Sequence, residues 1–187
     1  MKYADSMHLV RACRAGDRLA VETFVRAYKL PLYQLALSML DDPQEAEEAA
    51  QDALVIALDK LDSFRGEAQL KTWLYAIALN VCRGRLRKRK TRERVARIWN
   101  AINSLRAAAP EPPHEIATRT EQSALLWNAI QNLSDVEREV IVLRYYHELD
   151  TAELTRILGV SERTIRTRVQ AALDSLRATL EEEGNEI

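Results

Sequence analysis

The chain has 187 residues, 47% of them hydrophobic, with 27 Lys/Arg against 28 Asp/Glu and a formal net charge of -1; this is the ordinary balance of a globular protein long enough for one medium domain or two small ones. Its two cysteines, Cys13 and Cys82, lie far apart with no C-x-x-C and no His/Cys cluster, which argues against a disulfide framework and a zinc site and leaves them as small apolar residues in a reducing compartment. MKYADSMHLV has no apolar signal core and no stretch approaches about 18 consecutive apolar residues, so the expectation is a cytoplasmic protein without direct membrane insertion.

Helical signals run the length of the chain. Gly16 followed by Asp17 reads as a helix stop and restart. The next helix puts Phe24, Tyr28, Leu32, Leu35 and Met39 on one face, and Pro31 is expected to kink it. Asp42-Pro43-Gln44-Glu45 combines an N-cap, a proline at the first helical position and a capping-box glutamate. The helix it starts carries Ala46, Ala50, Ala53, Ala57 and Leu61 at helical spacing, and a third carries Leu70, Trp73, Leu74, Ile77 and Val81. Ser134-Asp135-Val136-Glu137 and Asp150-Thr151-Ala152-Glu153 repeat the N-cap-to-N3 spacing. No alternating run is long enough for a strand, so the fold class expected is all-α.

Charge divides the chain more sharply than it sums. Residues 1–62 carry 7 Lys/Arg against 11 Asp/Glu, residues 63–106 carry 12 against 2, and residues 107–187 carry 8 against 15. A strongly basic middle between acidic ends points to a polyanionic partner, and nucleic acid is the commonest one.

Between Arg106 and Ile116 the prolines of AAAPEPPHE exclude helix and favour extended backbone. Residues 95–116 therefore read as a linker between a domain at 1–94 and a smaller one at 117–187, with Ile98, Ile102 and Leu105 keeping a helical apolar stripe at its start. In the smaller domain, Leu154, Ile157 and Leu158 precede Gly159, and Ser161 caps a second helix after a short turn, which is helix-turn-helix spacing. Ile165, Val169, Ala172, Leu173 and Leu176 must face the core, leaving Arg163, Arg166, Thr167 and Gln170 outward as a set suited to a major groove.

From Arg14-Ala15-Gly16-Asp17 through Leu180 the chain resembles the RNA polymerase sigma-70 family, in its small extracytoplasmic-function (ECF) group. "DPQEAEEAAQDALVIAL" looks like that family's core-polymerase-binding helix, "FRGEAQLKTWLYAIALNVCRGRLRKRK" like its promoter-melting and -10-reading segment, and "LSDVEREVIVLRYYHELDTAELTRILGVSERTIRTRV" like its -35-reading module. The resemblance implies two helical domains, similar to sigma regions 2 and 4, joined by an extended linker, with core RNA polymerase, promoter DNA and an anti-sigma factor as partners. It assigns polymerase binding to Glu48, Gln51, Asp52 and Val55. It assigns the melted -10 strand to Ser63, Phe64, Arg65, Gly66, Glu67, Lys71, Asn80, Arg83, Arg87 and Lys88, with residues 62–69 forming a pocket for a flipped base. The -35 duplex falls to Ser161, Arg163, Thr164, Arg166, Thr167, Arg168 and Gln170. The chain departs from the family at Gly84, where Asp is usual, at Leu54 and Leu58, where aromatics are usual, and at Arg163, where glycine is frequent.

A stand-alone helix-turn-helix regulator with an N-terminal sensor or dimerisation domain is the alternative, although the first domain shows neither a ligand pocket nor a phospho-acceptor signature. His8, His114 and His147 are isolated, no glycine-rich phosphate loop occurs, and the acidic clusters sit at helix starts where capping explains them. No catalytic residue, metal, cofactor or small-molecule substrate is therefore expected.

Overall fold

The computed structural model describes residues 3–103 and 121–184, and every regular element among them is helical. Helix α1 (Tyr3–Arg14) ends in a turn where Gly16 takes φ 79°, and Asp17 then accepts the amides of Leu19 and Ala20 to cap α2 (Arg18–Leu40). Pro31 lies inside α2 without ending it. Phe24, Tyr28, Leu32, Leu35 and Met39 are all buried, as the spacing requires. Helix α3 (Pro43–Asp59) starts at Asp42, whose carboxylate accepts the Glu45 amide at 2.8 Å. Its buried face is Ala46, Ala49, Ala50, Ala53 and Ala57 together with Leu54; the alanines immobilise no rotamers and let the neighbouring helices pack closely.

A 3-10 turn (Leu61–Ser63) leads to α4 (Leu70–Asn103), which packs on both α2 and α3. Leu70 and Leu74 are buried as expected, whereas Trp73, Ile77 and Val81 are only half-buried. The side chains that go fully inside are instead Tyr75, Ala78, Leu79, Cys82 and Leu86, because α4 is covered from a second side. Helix α4 continues through Asn103, so the segment read as linker begins as helix; residues 104–120, with AAAPEPP, lie outside the described residues.

The second unit consists of α5 (Glu121–Asn132), α6 (Asp135–Ile141), α7 (Thr151–Leu158) and α8 (Glu162–Gly184). Ser134 with Glu137 and Asp150 with Glu153 form two of the three expected capping boxes; at Asp42 the side chain caps the Glu45 amide, but no return bond from the Glu45 carboxylate forms, and its Oε2 is buried without a partner. Gly159, at φ 68°, closes α7 in the left-handed conformation that favours glycine. After α6 the chain widens into a π-turn over Val142–Tyr146, where the His147 amide reaches back to the Val142 carbonyl at 3.0 Å. That extra residue turns His147 inward and leaves Tyr145 and Tyr146 exposed.

The end of α2 joins the units. The last four carbonyls of a helix lack intrahelical donors, and here all four are satisfied. Leu37 accepts from the Asp41 amide (2.9 Å), Ser38 from Gln131 (3.2 Å), Met39 from Arg138 (3.0 Å) and Leu40 from Arg89 (3.1 Å). The two arginines also oppose the negative end of the helix dipole. Burial lowers the Arg138 pKa, yet its guanidinium keeps further acceptors in the Gln131 and Leu133 carbonyls.

Candidate nucleic-acid interface

The loop before α4 is held from beneath. Arg14 donates through Nη2 to the carbonyls of Leu61 and Phe64, each at 2.6 Å. Phe64 is buried and its ring lies 5.3 Å from that of Trp73 at a tilt of 49°. Gly66 takes φ 77°, a conformation that L side chains avoid. Around this anchored backbone Ser63, Arg65 and Glu67 are exposed. Phe64 is thus the floor of the loop, and the polar residues are its rim.

Along α4, Asn80, Arg87 and Lys88 are exposed, while Lys71 lies with its ammonium 5.2 Å from the Tyr75 ring centroid. Asn80, Gly84 and Lys88 follow each other at helical i, i+4 spacing on the wall of a groove of about 690 Å³ between α3 and α4. A glycine inside a helix costs about 1 kcal/mol relative to alanine. Arg85 bridges the two helices, donating to Glu48 at 3.0 Å and to Asp52 at 2.6 Å. Glu48, Gln51, Asp52 and Val55 form one exposed strip of α3, with Val55 67% exposed. Leu54, in contrast, faces the core.

The second unit presents its helix-turn-helix as the spacing required. Ser161 accepts the Thr164 amide at 3.3 Å at the start of α8, and Ile165, Ala172 and Leu176 are buried. Arg163, Arg166, Thr167 and Gln170 are exposed and Arg168 is half-buried. Arg166 contacts Glu162 at 3.2 Å and Gln170 donates to Asp174 at 2.9 Å, both open to water and easily exchanged for an external partner.

Nothing in the sequence reading anticipated that the two units would be in contact. Arg83 donates through Nε and Nη2 to both carboxylate oxygens of Glu139, at 2.6 and 2.7 Å, and the Glu139 side chain is only 4% exposed. Thr72 donates to Glu153 at 3.0 Å, Lys90 meets Asp135 at 2.6 Å and Trp127 donates to Asp41 at 2.9 Å. At the centre, Tyr75 Oη lies 3.2 Å from His147 Nδ1, with the rings edge to face at 5.0 Å. Burial, helped by the nearby Tyr146, pushes Tyr75 up to about 12; burial and Lys71 push His147 down to about 4. Both groups are thus neutral, and one proton lies between the phenol oxygen and imidazole Nδ1. The available signal was an acid beside a β-branched run, Glu139-Val140-Ile141-Val142, since a carboxylate flanked by core residues needs a buried cation.

A cationic helix beside an anchored polar loop, tethered to a helix-turn-helix with an arginine-rich outer face, defines a two-module DNA-binding protein. Among the described residues no His/Cys/Asp/Glu group could hold a metal ion, and no helix is long and apolar enough to cross a membrane. Residues 24–92 match the family described as Sigma-70 region 2 and residues 129–178 match Sigma-70, region 4. The chain is 33% identical over 176 residues to the ECF RNA polymerase sigma factor SigW of Bacillus subtilis (strain 168), covering 91% of this chain and 94% of that one. It is 27% identical over 180 residues to the RNA polymerase sigma-H factor of Pseudomonas aeruginosa, covering 92% of each. Among solved structures, the sigma factor RpoE in complex with the anti-sigma factor NepR from Bartonella quintana superposes with a TM-score of 0.64 at 25% identity, over 86% of this chain and 96% of that one. CnrH in complex with the cytosolic domain of CnrY shares the fold, with a TM-score of 0.66 at 24% identity, over 93% and 96% of the two chains.

The chain belongs to the ECF sigma factors of the RNA polymerase sigma-70 family. It is a transcription initiation factor, acting with core RNA polymerase on promoter DNA, and the comparisons give the stand-alone regulator no support.

Proposed function

We propose that residues 1–94 bind core polymerase and open the -10 element, that residues 95–116 link, and that residues 117–187 read the -35 element. The α3 strip of Glu48, Gln51, Asp52 and Val55 meets the polymerase. Ser63, Phe64, Arg65, Gly66 and Glu67 form the base pocket, and Lys71, Asn80, Arg83, Arg87 and Lys88 hold the opened strand. Unstacking a base costs a few kcal/mol, so the strand must be held both by phosphate contacts and by a pocket of fixed shape. The Arg14 bonds to the Leu61 and Phe64 carbonyls supply that shape before DNA arrives. Ser161, Arg163, Thr164, Arg166, Thr167, Arg168 and Gln170 dock the duplex, Ser161 and Thr164 chiefly by fixing the helix start. The role is one of binding and strand opening, with no catalytic group of its own.

The observation that carries this reading is the adjacency of the acidic α3 strip and the cationic α4, linked through Arg85. One face can sit on the polymerase while the next meets the strand being opened. Arg83 cannot pair with Glu139 and hold the opened strand at once, so on this reading that ion pair breaks when the -10 element is bound. The resemblance to RpoE bound to NepR supports an anti-sigma factor as a further, inhibitory partner, for a chain acting in the cytoplasm. Run-off transcription with core polymerase tests the proposal: the chain should confer initiation on a subset of genomic fragments, and a chain that binds DNA but never confers initiation would overturn it.

A further inference from the structure

The closed chain gives Gly84 no reason to be glycine. It lies within α4 and is not among the glycines with positive φ. A Cβ at this position would come no nearer than 4.0 Å to any neighbouring side chain, and that one atom is the mobile Nη2 of Arg87. Neither backbone conformation nor packing therefore calls for a residue that weakens the helix. Gly84 does adjoin the α3–α4 groove. Ile56, Ile77 and Val81 contribute apolar surface there, with the polymerase-facing Val55 at its edge; Lys60, Lys88 and Arg92 supply cations, and Glu45 is the lining carboxylate not engaged by Arg85. The Arg85 charge is matched by Glu48 and Asp52, but the side chains of Lys60, Lys88 and Arg92 make no ion pair or hydrogen bond among the described residues.

We propose that this groove seats the sugar–phosphate backbone of one strand of the -10 element, that the strand passes directly against the helix at Gly84, and that Lys60 and Arg92 are further phosphate contacts. The inference rests on the reading of α4 as the -10-facing helix. Aliphatic walls between cations suit a chain of apolar sugars and anionic phosphates; a small free anion would have no use for the walls. With no side chain at position 84, the strand can approach the helix backbone itself, the use to which glycines are put wherever a ligand must come close. Asn80 and Lys88, one turn to either side, then flank the contact and reach the same strand.

The test uses holoenzyme reconstituted from the full chain and core polymerase, with a genomic promoter fragment selected by the wild type and premelted across its -10 element. Complex lifetimes are measured over a salt series for Gly84→Ala, Gly84→Leu and Lys60→Ala. The expected result is a lifetime that falls with side-chain size, at least tenfold for Gly84→Leu, while the melting temperature of the free Gly84→Leu chain rises because leucine is the better helix former. Lys60→Ala should reduce the salt slope by about 0.7, the value for one single-strand phosphate. A wild-type lifetime for Gly84→Leu would overturn the close approach, and an unchanged salt slope for Lys60→Ala would remove that phosphate contact. Loss of core binding by Gly84→Leu would place the groove against polymerase and overturn the proposal in favour of a protein occupant. If the wild type confers no initiation on any fragment, it is the proposed function that fails; if it initiates and Gly84→Leu matches it, only this inference does.

Discussion

Removing Arg83 and removing Glu139 should have unequal consequences, although the two side chains make the same ion pair. Arg83→Met leaves a carboxylate that is 4% exposed without its cation, whereas Glu139→Met leaves a guanidinium that is 28% exposed and already touches Asn80 Oδ1. Stranding a buried charge costs about 3–5 kcal/mol, and replacing both partners by apolar side chains is often neutral or better. A cation that can turn to water loses about 1 kcal/mol, the net worth of an ordinary hydrogen bond. Glu139 can also escape by separation of the two units, which caps its cost at the free energy of their contact. Arg83→Met should therefore open the chain strongly, Glu139→Met weakly, and the double variant should be closed again. Energy transfer between dyes at the exposed positions Thr23 and Arg177 reports closure, and urea titration reports the stability of each variant. Equal effects of the single variants, or a double variant more open than Arg83→Met, would refute the reasoning.

Acidification should act on the same contact, because His147 is held down to about 4 from 6.5 by burial first and Lys71 second. A depressed folded value means that the stabilisation is complete above about pH 6.5 and is lost as pH falls toward 4, with a limiting slope of about 1.4 kcal/mol per unit; the dye pair should report opening over that window, and His147→Phe should flatten the response. Arg163→Ala and Arg166→Ala should each weaken -35-dependent complexes by about 1–3 kcal/mol and relax the sequence preference there; footprints on randomised -35 fragments that keep wild-type selectivity would count against this. Glu48→Arg combined with Asp52→Arg should abolish co-elution with core polymerase, at some cost in stability because both acids pair with Arg85; Gln51→Arg, in the same exposed strip but outside that pair, should weaken co-elution while changing stability by about 0.5 kcal/mol or less.

Local rules carried the sequence reading furthest where one element decides its own fate. The caps at Asp42, Ser134 and Asp150 and the turn at Gly159 depend on a few neighbouring residues, and all are present. The faces of α2 and α3 are set by helical period alone. Helix α4 was harder because it is covered on more than one side. Tyr75, Leu79 and Cys82 are buried outside the stripe that was legible, and Trp73, Ile77 and Val81 are half-buried within it. The inter-unit pairs were not legible: Arg83 and Glu139 are 56 residues apart, and nothing in the spacing of either names the other. The π-turn that directs His147 inward was equally silent, since no glycine, proline or other turn residue marks Val142–Tyr146.

The way the end of α2 is tied to the second unit has a genetic consequence. Gln131 and Arg138 hold α2 by the main-chain oxygens of Ser38 and Met39, and every amino acid carries such an oxygen. On one side of the seam the interaction is therefore encoded by replaceable side chains; on the other it is encoded by the polymer itself. A screen for variants released from the closed form should collect substitutions at Gln131 and Arg138 and few at positions 38 and 39. Charge-swap suppressors, the usual proof of a direct contact, should be obtainable for Arg83 with Glu139 but not for Arg138, because no allele of its partner can reverse the sign of a carbonyl.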